Sequence, residues 1–271
     1  MLPHYGQLHY VNYNIRVTIC KEKMRILCDF FNIFYREIYT YTAYCGIIFI
    51  TIHFVKLENS KIKVKDMINY KIHFIRHGKT EGNLNMRYVG RTDLPVCEEG
   101  MKELKALTRD CIYPNIQKMY VSPLLRCKQT AETIYPDTYA EIVDDLMECD
   151  FGSFEGKSYN ELKDDPDFVA WLKGEKSTAD VGGEYMPDFA NRCKRAFEYI
   201  FHDMMDKGLT SCAVVTHGGV IMSLFAMLGY PRKKMGEWMV ENGRGYTVLA
   251  TPAMWMRDEG FEVFDICPYE K

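Results

Sequence analysis

The stretch Ile72-His73-Phe74-Ile75-Arg76-His77-Gly78-Lys79-Thr80-Glu81-Gly82-Asn83 runs from apolar residues into an arginine, a histidine and a glycine. The apolar run reads as a strand, and the glycine marks where the strand ends and the chain turns. In α/β proteins the chemistry collects at that carboxyl end. Gly78 lets the backbone turn and present N–H groups, while Arg76 offers a planar fork that suits phosphate oxygens. Read locally, this is an anion site with a nucleophile in it. A second His-Gly pair, Thr216-His217-Gly218-Gly219, follows the apolar run Cys212 to Val215. Two such strand ends can share one pocket.

Around these two points the pattern alternates. Strands are predicted at Lys71–Ile75, Lys118–Val121, Glu141–Val143, Ala213–Thr216, Tyr246–Ala250 and Phe261–Ile266, with helices at Glu99–Asp110, Leu124–Ile134, Met186–Lys207 and Val220–Leu228. Ser122-Pro123 reads as a serine N-cap with proline at the first helical position. Shorter helical spacing at Tyr159–Lys163 and Asp167–Lys173, split by Asp165-Pro166, marks an insertion that ends at Gly182-Gly183-Glu184. The implied fold is α/β, a mostly parallel sheet with helices on both faces and a small helical cap insertion.

Four motifs resemble, in order, those of the histidine phosphatase superfamily, which also contains the cofactor-dependent phosphoglycerate mutases. They are Arg76–Asn83 with its continuation Tyr88-Val89-Gly90-Arg91-Thr92-Asp93-Leu94-Pro95; Ser122-Pro123-Leu124-Leu125-Arg126-Cys127-Lys128-Gln129-Thr130-Ala131; Leu146 to Gly156; and Val215-Thr216-His217-Gly218-Gly219. A lone Arg-His-Gly recurs by chance; four motifs at family spacing do not. The resemblance implies a phosphoglycerate mutase-like fold in which His77 and His217 meet at the carboxyl edge of the sheet and the insertion caps the pocket.

It also implies roles that chemistry supports. A neutral His77 would attack phosphorus and form a phosphohistidine. Arg76, Arg126, His217 and Asn83 would surround the charged oxygens of the transferring group. Glu148 would serve first as general acid and then as general base, which asks for a pKa raised by burial near Phe151 or Phe154. By proximity Asp144, Asp145, Asp150 or Glu155 could serve as well, and only the family register selects Glu148. Gly90 and Gly218 join Asn83 as substrate-contacting positions. The short insertion and the run Phe151–Gly156 resemble the compact phosphatase branch. Within it, Tyr88–Pro95 and Gly182-Gly183-Glu184 are most similar to the α-ribazole phosphatases of cobalamin biosynthesis. The expected reaction is hydrolysis of a small phosphorylated metabolite, α-ribazole 5′-phosphate being one candidate; a mutase-type transfer uses the same residues and is the alternative. The other histidines lack such flanks, and His73 reads as an ordinary strand residue.

Composition narrows the partners. The chain has 271 residues with 34 Lys or Arg and 37 Asp or Glu, of which residues 1–66 hold nine and five, leaving 25 against 32 in residues 67–271. That acidic balance excludes a nucleic-acid surface. Ten cysteines form no CxxC pair and no zinc-spaced cluster, so free thiols in a reducing cytoplasm are expected, with neither cofactor nor metal. Residues 1–66 differ from the rest: they are rich in Ile, Tyr, Phe, Asn and Lys and lack turn punctuation. Their 38–55 run is 18 residues without a charge, but threonines, tyrosines, Gly46 and His53 dilute it. The segment reads as non-native upstream translation or a poorly ordered extension ahead of a domain spanning 67–271. A membrane anchor through 38–55 is the alternative, with no membrane contact expected of the catalytic domain.

Overall fold

The computed structural model describes residues 68–271; the 1–66 segment, with its 38–55 run, lies outside the described residues. In chain order the strands are β1 (Tyr70–Arg76), β2 (Cys111–Ile112), β3 (Lys118–Val121), β4 (Ala140–Ile142), β5 (Ser211–Thr216), β6 (Gly229–Tyr230), β7 (Gly245–Ala250), β8 (Phe261–Cys267) and β9 (Tyr269–Glu270). The helices are α1 (Glu81–Leu84), α2 (Glu98–Asp110), α3 (Leu125–Ile134), α4 (Tyr159–Leu162), α5 (Pro166–Leu172), α6 (Met186–Lys207), α7 (Gly218–Leu228) and α8 (Pro252–Asp258). Seven strands form one sheet in the order β4-β3-β5-β1-β7-β8-β6, with β7 alone reversed; β2 and β9 form a separate ribbon.

Alternation along the central strands divides the core between the two faces of the sheet. Ile72, Phe74 and Val214 pack with Phe189, Phe197, Ile200, Leu224 and Phe225 from α6 and α7. Ile75, Ala213 and Val215 pack on the other side with Leu104 of α2 and Cys127, Ala131 and Ile134 of α3. Both faces being covered, β1 and β5 are buried nearly throughout, as parallel strands between helix layers must be. Each fully buried phenylalanine contributes about 1.5–3 kcal/mol through area removed from water. The long helix α6 ends at Gly208 in the left-handed conformation at φ 66°, the usual stop for a helix. All seven cysteines of the described residues are free thiols. No helix among the described residues is long and apolar enough to cross a membrane.

One expectation is corrected, and the place of the insertion is specified. Ser122 does not cap α3, whose N-cap is Leu124; the Leu125 N–H is met instead by Asp93 Oδ1 at 2.6 Å, from a loop far away in sequence. The insertion forms its own small core, in which Phe154, Leu162 and Phe168 pack with Tyr88, Phe151, Trp171 and Val181. It packs against Tyr88 and Phe151, two residues of the cavity lining described below, and that lining holds no side chain from between Tyr159 and Glu184. The elements α1, α8, β2, β6 and β9 are absent from the sequence-based expectation; the three strands are two residues each, too short for an alternating pattern to show.

Candidate active site

Parallel pairing sets Arg76 opposite Thr216 at the ends of β1 and β5, so the next residues, His77 and His217, are brought together with ring centroids 5.2 Å apart. The His77 N–H donates to the Thr216 carbonyl at 2.9 Å, which fixes the backbone of the turn. The ring is fixed too: Nδ1 lies 2.7 Å from the Gly78 carbonyl. A carbonyl only accepts, so Nδ1 carries the proton and Nε2 keeps its lone pair. Burial, then the charges of Arg126 and Arg76, hold the His77 pKa well below the usual histidine range, so the imidazole stays neutral near pH 7.

His77 opens onto a cavity of about 240 Å³. Its polar end is built from Arg76, His77, Asn83, Glu148, Gly218 and Gly219, and its remaining wall from Arg87, Tyr88, Val89, Phe151, Met222, Met239 and Val240. Arg76 donates from Nη1 to the Val240 carbonyl at 2.7 Å, while its buried Nε has no partner among the described residues. The Asn83 side-chain oxygen is spent on the Thr80 N–H at 3.0 Å and on Asn242 Nδ2 at 3.3 Å. Its amide nitrogen is the group left to face a ligand.

Of the acids near position 148, only Glu148 lines the cavity. It is 7% exposed, and its two oxygens accept from the Cys149 and Gly219 N–H groups, each at 2.9 Å. Burial pushes the Glu148 pKa up, and those two N–H groups with Arg126 and Arg76 offset only part of the rise. Gly219 makes the approach possible, since a Cβ there would stand 2.3 Å from Glu148 Oε1. Phe151 shares the cavity wall with Glu148, whereas Phe154 belongs to the core of the insertion.

Three sequence-selected residues sit differently from expectation. Arg126 is 1% exposed and does not line the cavity; its donors go to the Gly90 carbonyl at 2.7 Å, the Thr92 carbonyl at 2.9 Å and His217 Nδ1 at 3.3 Å. His217 is wholly buried behind His77, with Nδ1 accepting from Arg126 and Nε2 facing Ser122 Oγ at 2.8 Å. Gly90 cannot offer its N–H to a substrate, because both Glu155 oxygens take it, at 2.9 and 3.0 Å. Gly218 does line the cavity, beside Arg76. His73 is the structural residue its plain flanks suggested, bonded to Thr247 at 2.9 Å and Ser211 at 3.3 Å.

Beyond the sequence-selected residues the site uses Gly219 and the Met239–Val240 wall, and Glu155, expected only as an alternative acid, instead takes the Arg91 N–H and the Thr92 hydroxyl and so shapes the loop that receives Arg126. A signal for Gly219 was present in the doubled glycine after His217; for the others there was none, since their contacts cross the fold.

Residues 72–256 match the sequence model of the histidine phosphatase superfamily, branch 1. The chain belongs to that superfamily. It is accordingly a phosphatase by class, and its relatives bear this out. It is 26% identical over 180 residues to the adenosylcobalamin/α-ribazole phosphatase of Salmonella typhimurium, covering 64% of this chain and 87% of that protein. Phosphoserine phosphatase 1 of Hydrogenobacter thermophilus is 27% identical over 66% of this chain and 85% of its own. In fold the chain is similar to the phosphoglycerate mutase of Bacillus anthracis, with a TM-score of 0.60 at 24% identity over 74% of this chain and 94% of that one.

Proposed function

We propose that this phosphatase, through the unit spanning 67–271, hydrolyses a small phosphate monoester by way of a phosphohistidine on His77. The observation that carries this reading is the free Nε2 of a neutral His77, set in one cavity with Arg76 and a buried Glu148. Nε2 attacks phosphorus, and the leaving oxygen takes the proton of Glu148. Glu148, then ionised, takes a proton from the water that cleaves the phosphohistidine and returns to its acid form. The guanidinium of Arg76 and the amide of Asn83 are the donors that would meet phosphoryl oxygens, and Arg126 acts from behind through its charge. His217 serves in this scheme by orienting Arg126 and flanking His77. Gly218, at the N-terminus of α7, adds the dipole of that helix.

The raised pKa of Glu148 keeps the acid form available for the first step. Turnover should therefore fall as pH rises past that pKa, and also as pH drops far enough to protonate His77. The substrate we favour is α-ribazole 5′-phosphate, a choice supported by the name of the Salmonella typhimurium relative, with phosphoserine the competitor that the Hydrogenobacter thermophilus relative suggests. Cations from Arg76 and Arg126 take the place a metal would have, so the reaction is proposed to be metal-independent, in a cytoplasmic setting.

The test is phosphate release by the full chain, in EDTA, from α-ribazole 5′-phosphate, phosphoserine, sugar phosphates, phosphoglycerates and p-nitrophenyl phosphate. Selective hydrolysis of one physiological ester names the substrate. Interconversion of phosphoglycerates without phosphate release would overturn hydrolysis in favour of the mutase alternative.

A further inference from the structure

Neither Glu184 nor Arg192 lines the catalytic cavity, yet their side chains are 14% and 7% exposed and form the most enclosed ion pair among the described residues. Arg192 projects from α6 and grips Glu184 with a two-point fork, Nε to Oε1 at 2.7 Å and Nη2 to Oε2 at 2.8 Å. Its remaining donors all go to one short segment: Nη1 reaches the carbonyls of Asp145 at 2.9 Å and Met147 at 2.5 Å, and Nη2 the carbonyl of Glu148 at 2.9 Å. All five guanidinium N–H groups are thereby used, three of them on the backbone that delivers Glu148.

Glu184 is itself seated with care. Its N–H donates to the Asp150 carbonyl at 2.9 Å, and its carbonyl accepts from the buried hydroxyl of Thr178. The two loops cross backbone to backbone at Gly183, where a Cβ would stand 2.5 Å from the Asp150 carbonyl oxygen and 2.8 Å from the Gly152 nitrogen. Only a residue without a side chain permits that crossing. The Gly182-Gly183-Glu184 run thus brings an anion to the far side of the Glu148 segment, where Arg192 can bridge the two.

We infer that Arg192, held by Glu184, is a positioning residue for the acid–base step: it fixes the carbonyls on either side of Glu148 and so aims the Glu148 carboxyl at the reacting group. The inference rests on the proposed role of Glu148. A one-point cation cannot replace the fork. With lysine at 192 at most three of the five bonds can form, and the Glu148 segment gains freedom while the charge is kept. Displacement of a catalytic group by about 1 Å can cost about 100-fold.

The experiment compares kcat/KM on p-nitrophenyl phosphate, whose leaving group needs little protonation, with that on an unactivated alkyl phosphate. It uses the full chain carrying Arg192→Lys, Glu184→Gln or Glu148→Gln, with thermal melts of each. The expected result for Arg192→Lys is a loss of about 10- to 100-fold on the alkyl ester against about threefold or less on the nitrophenyl ester, together with a shifted alkaline limb of the pH profile. Glu184→Gln, which keeps the shape of the clamp, should show the same selectivity at smaller size, and it decides the matter if Arg192→Lys does not fold. Equal losses on both esters, or none, would overturn the inference while Glu148→Gln remained selective. If Glu148→Gln itself lost activity equally on both, the acid–base reading would fail first, and the inference with it.

Discussion

His77-Gly78 and His217-Gly218 look alike in sequence and close adjacent parallel strands in the same register, yet the two imidazoles are placed in opposite ways. His77 spends one nitrogen on its own turn and leaves Nε2 open to the cavity. His217 has both nitrogens engaged by protein, with Ser122 on one side and Arg126 on the other, and no part of it lines the cavity. The contrast separates a histidine poised to form a bond from one that builds the wall behind it. What decides is the number of unengaged nitrogens, and that depends on residues from α3 and the loop before it. A third histidine extends the comparison: His73, four residues before His77 on β1, also has both nitrogens engaged.

The sharpest way to break this contrast is to exchange the fates of the two rings. His77→Ala should lower kcat/KM by roughly 10⁴-fold or more, as loss of a nucleophile does, with a melting temperature close to that of the unaltered protein. The only side-chain hydrogen bond lost is the one to Gly78, along with the ring's contact with His217. His217→Ala should cost activity about 100-fold and also destabilise the protein by about 1–3 kcal/mol, because Ser122 and the Nε of Arg126 lose their buried partner. Denaturant melts of both variants beside their kinetics check the pair. An equally stable His217→Ala would show that its partners do not depend on it.

His73 supplies a pH test. Burial and Lys71 push its pKa down to about 4, whereas in the unfolded chain it titrates near 6.5. The unfolded state therefore takes up the proton first. The stability this histidine contributes is complete above pH 6.5 and is lost as pH falls toward 4, by about 2 kcal/mol on reaching pH 5. Unfolding free energies measured from pH 7.5 to 5 should show at least that slope, steepened by His77 and His217, whose pKa values burial lowers in the same direction. His73→Asn should remove only the share of about 2 kcal/mol that His73 contributes. The smallest effect belongs to Ser122→Ala, which removes one partner of His217. It should cost about 1 kcal/mol in stability and no more than about tenfold in activity, leaving His77 chemistry in place.

The legible and illegible parts of this protein divide along the same line. β1 and its turn could be read because an apolar run, an arginine, a histidine and a glycine are contiguous, and α6 because its apolar spacing continues to Gly208. The mostly parallel sheet followed from the alternation of such segments. Ser122-Pro123 misled because serine and proline carry a helix-start signal locally, while the true partner of Ser122 lies at the end of β5, 95 positions later in the chain. The distinction between a lining and a supporting role for Arg126, and the use of the Gly90 N–H by Glu155, were equally hidden. Each depends on an acceptor that arrives from another loop, which no local pattern encodes. The doubled glycines at 182–183 and 218–219 were visible, but the close approaches they permit were not.

The most direct test of the central contrast is to locate the phosphoryl group. The full chain, mixed briefly with substrate and quenched under conditions that preserve phosphohistidine, would be digested and its peptides mapped by mass spectrometry. Acid-labile, base-stable phosphate on the peptide carrying His77, and none on the peptide carrying His217, is the predicted result. Phosphate on His217, or turnover by the intact protein with no phosphohistidine at either site, would contradict it.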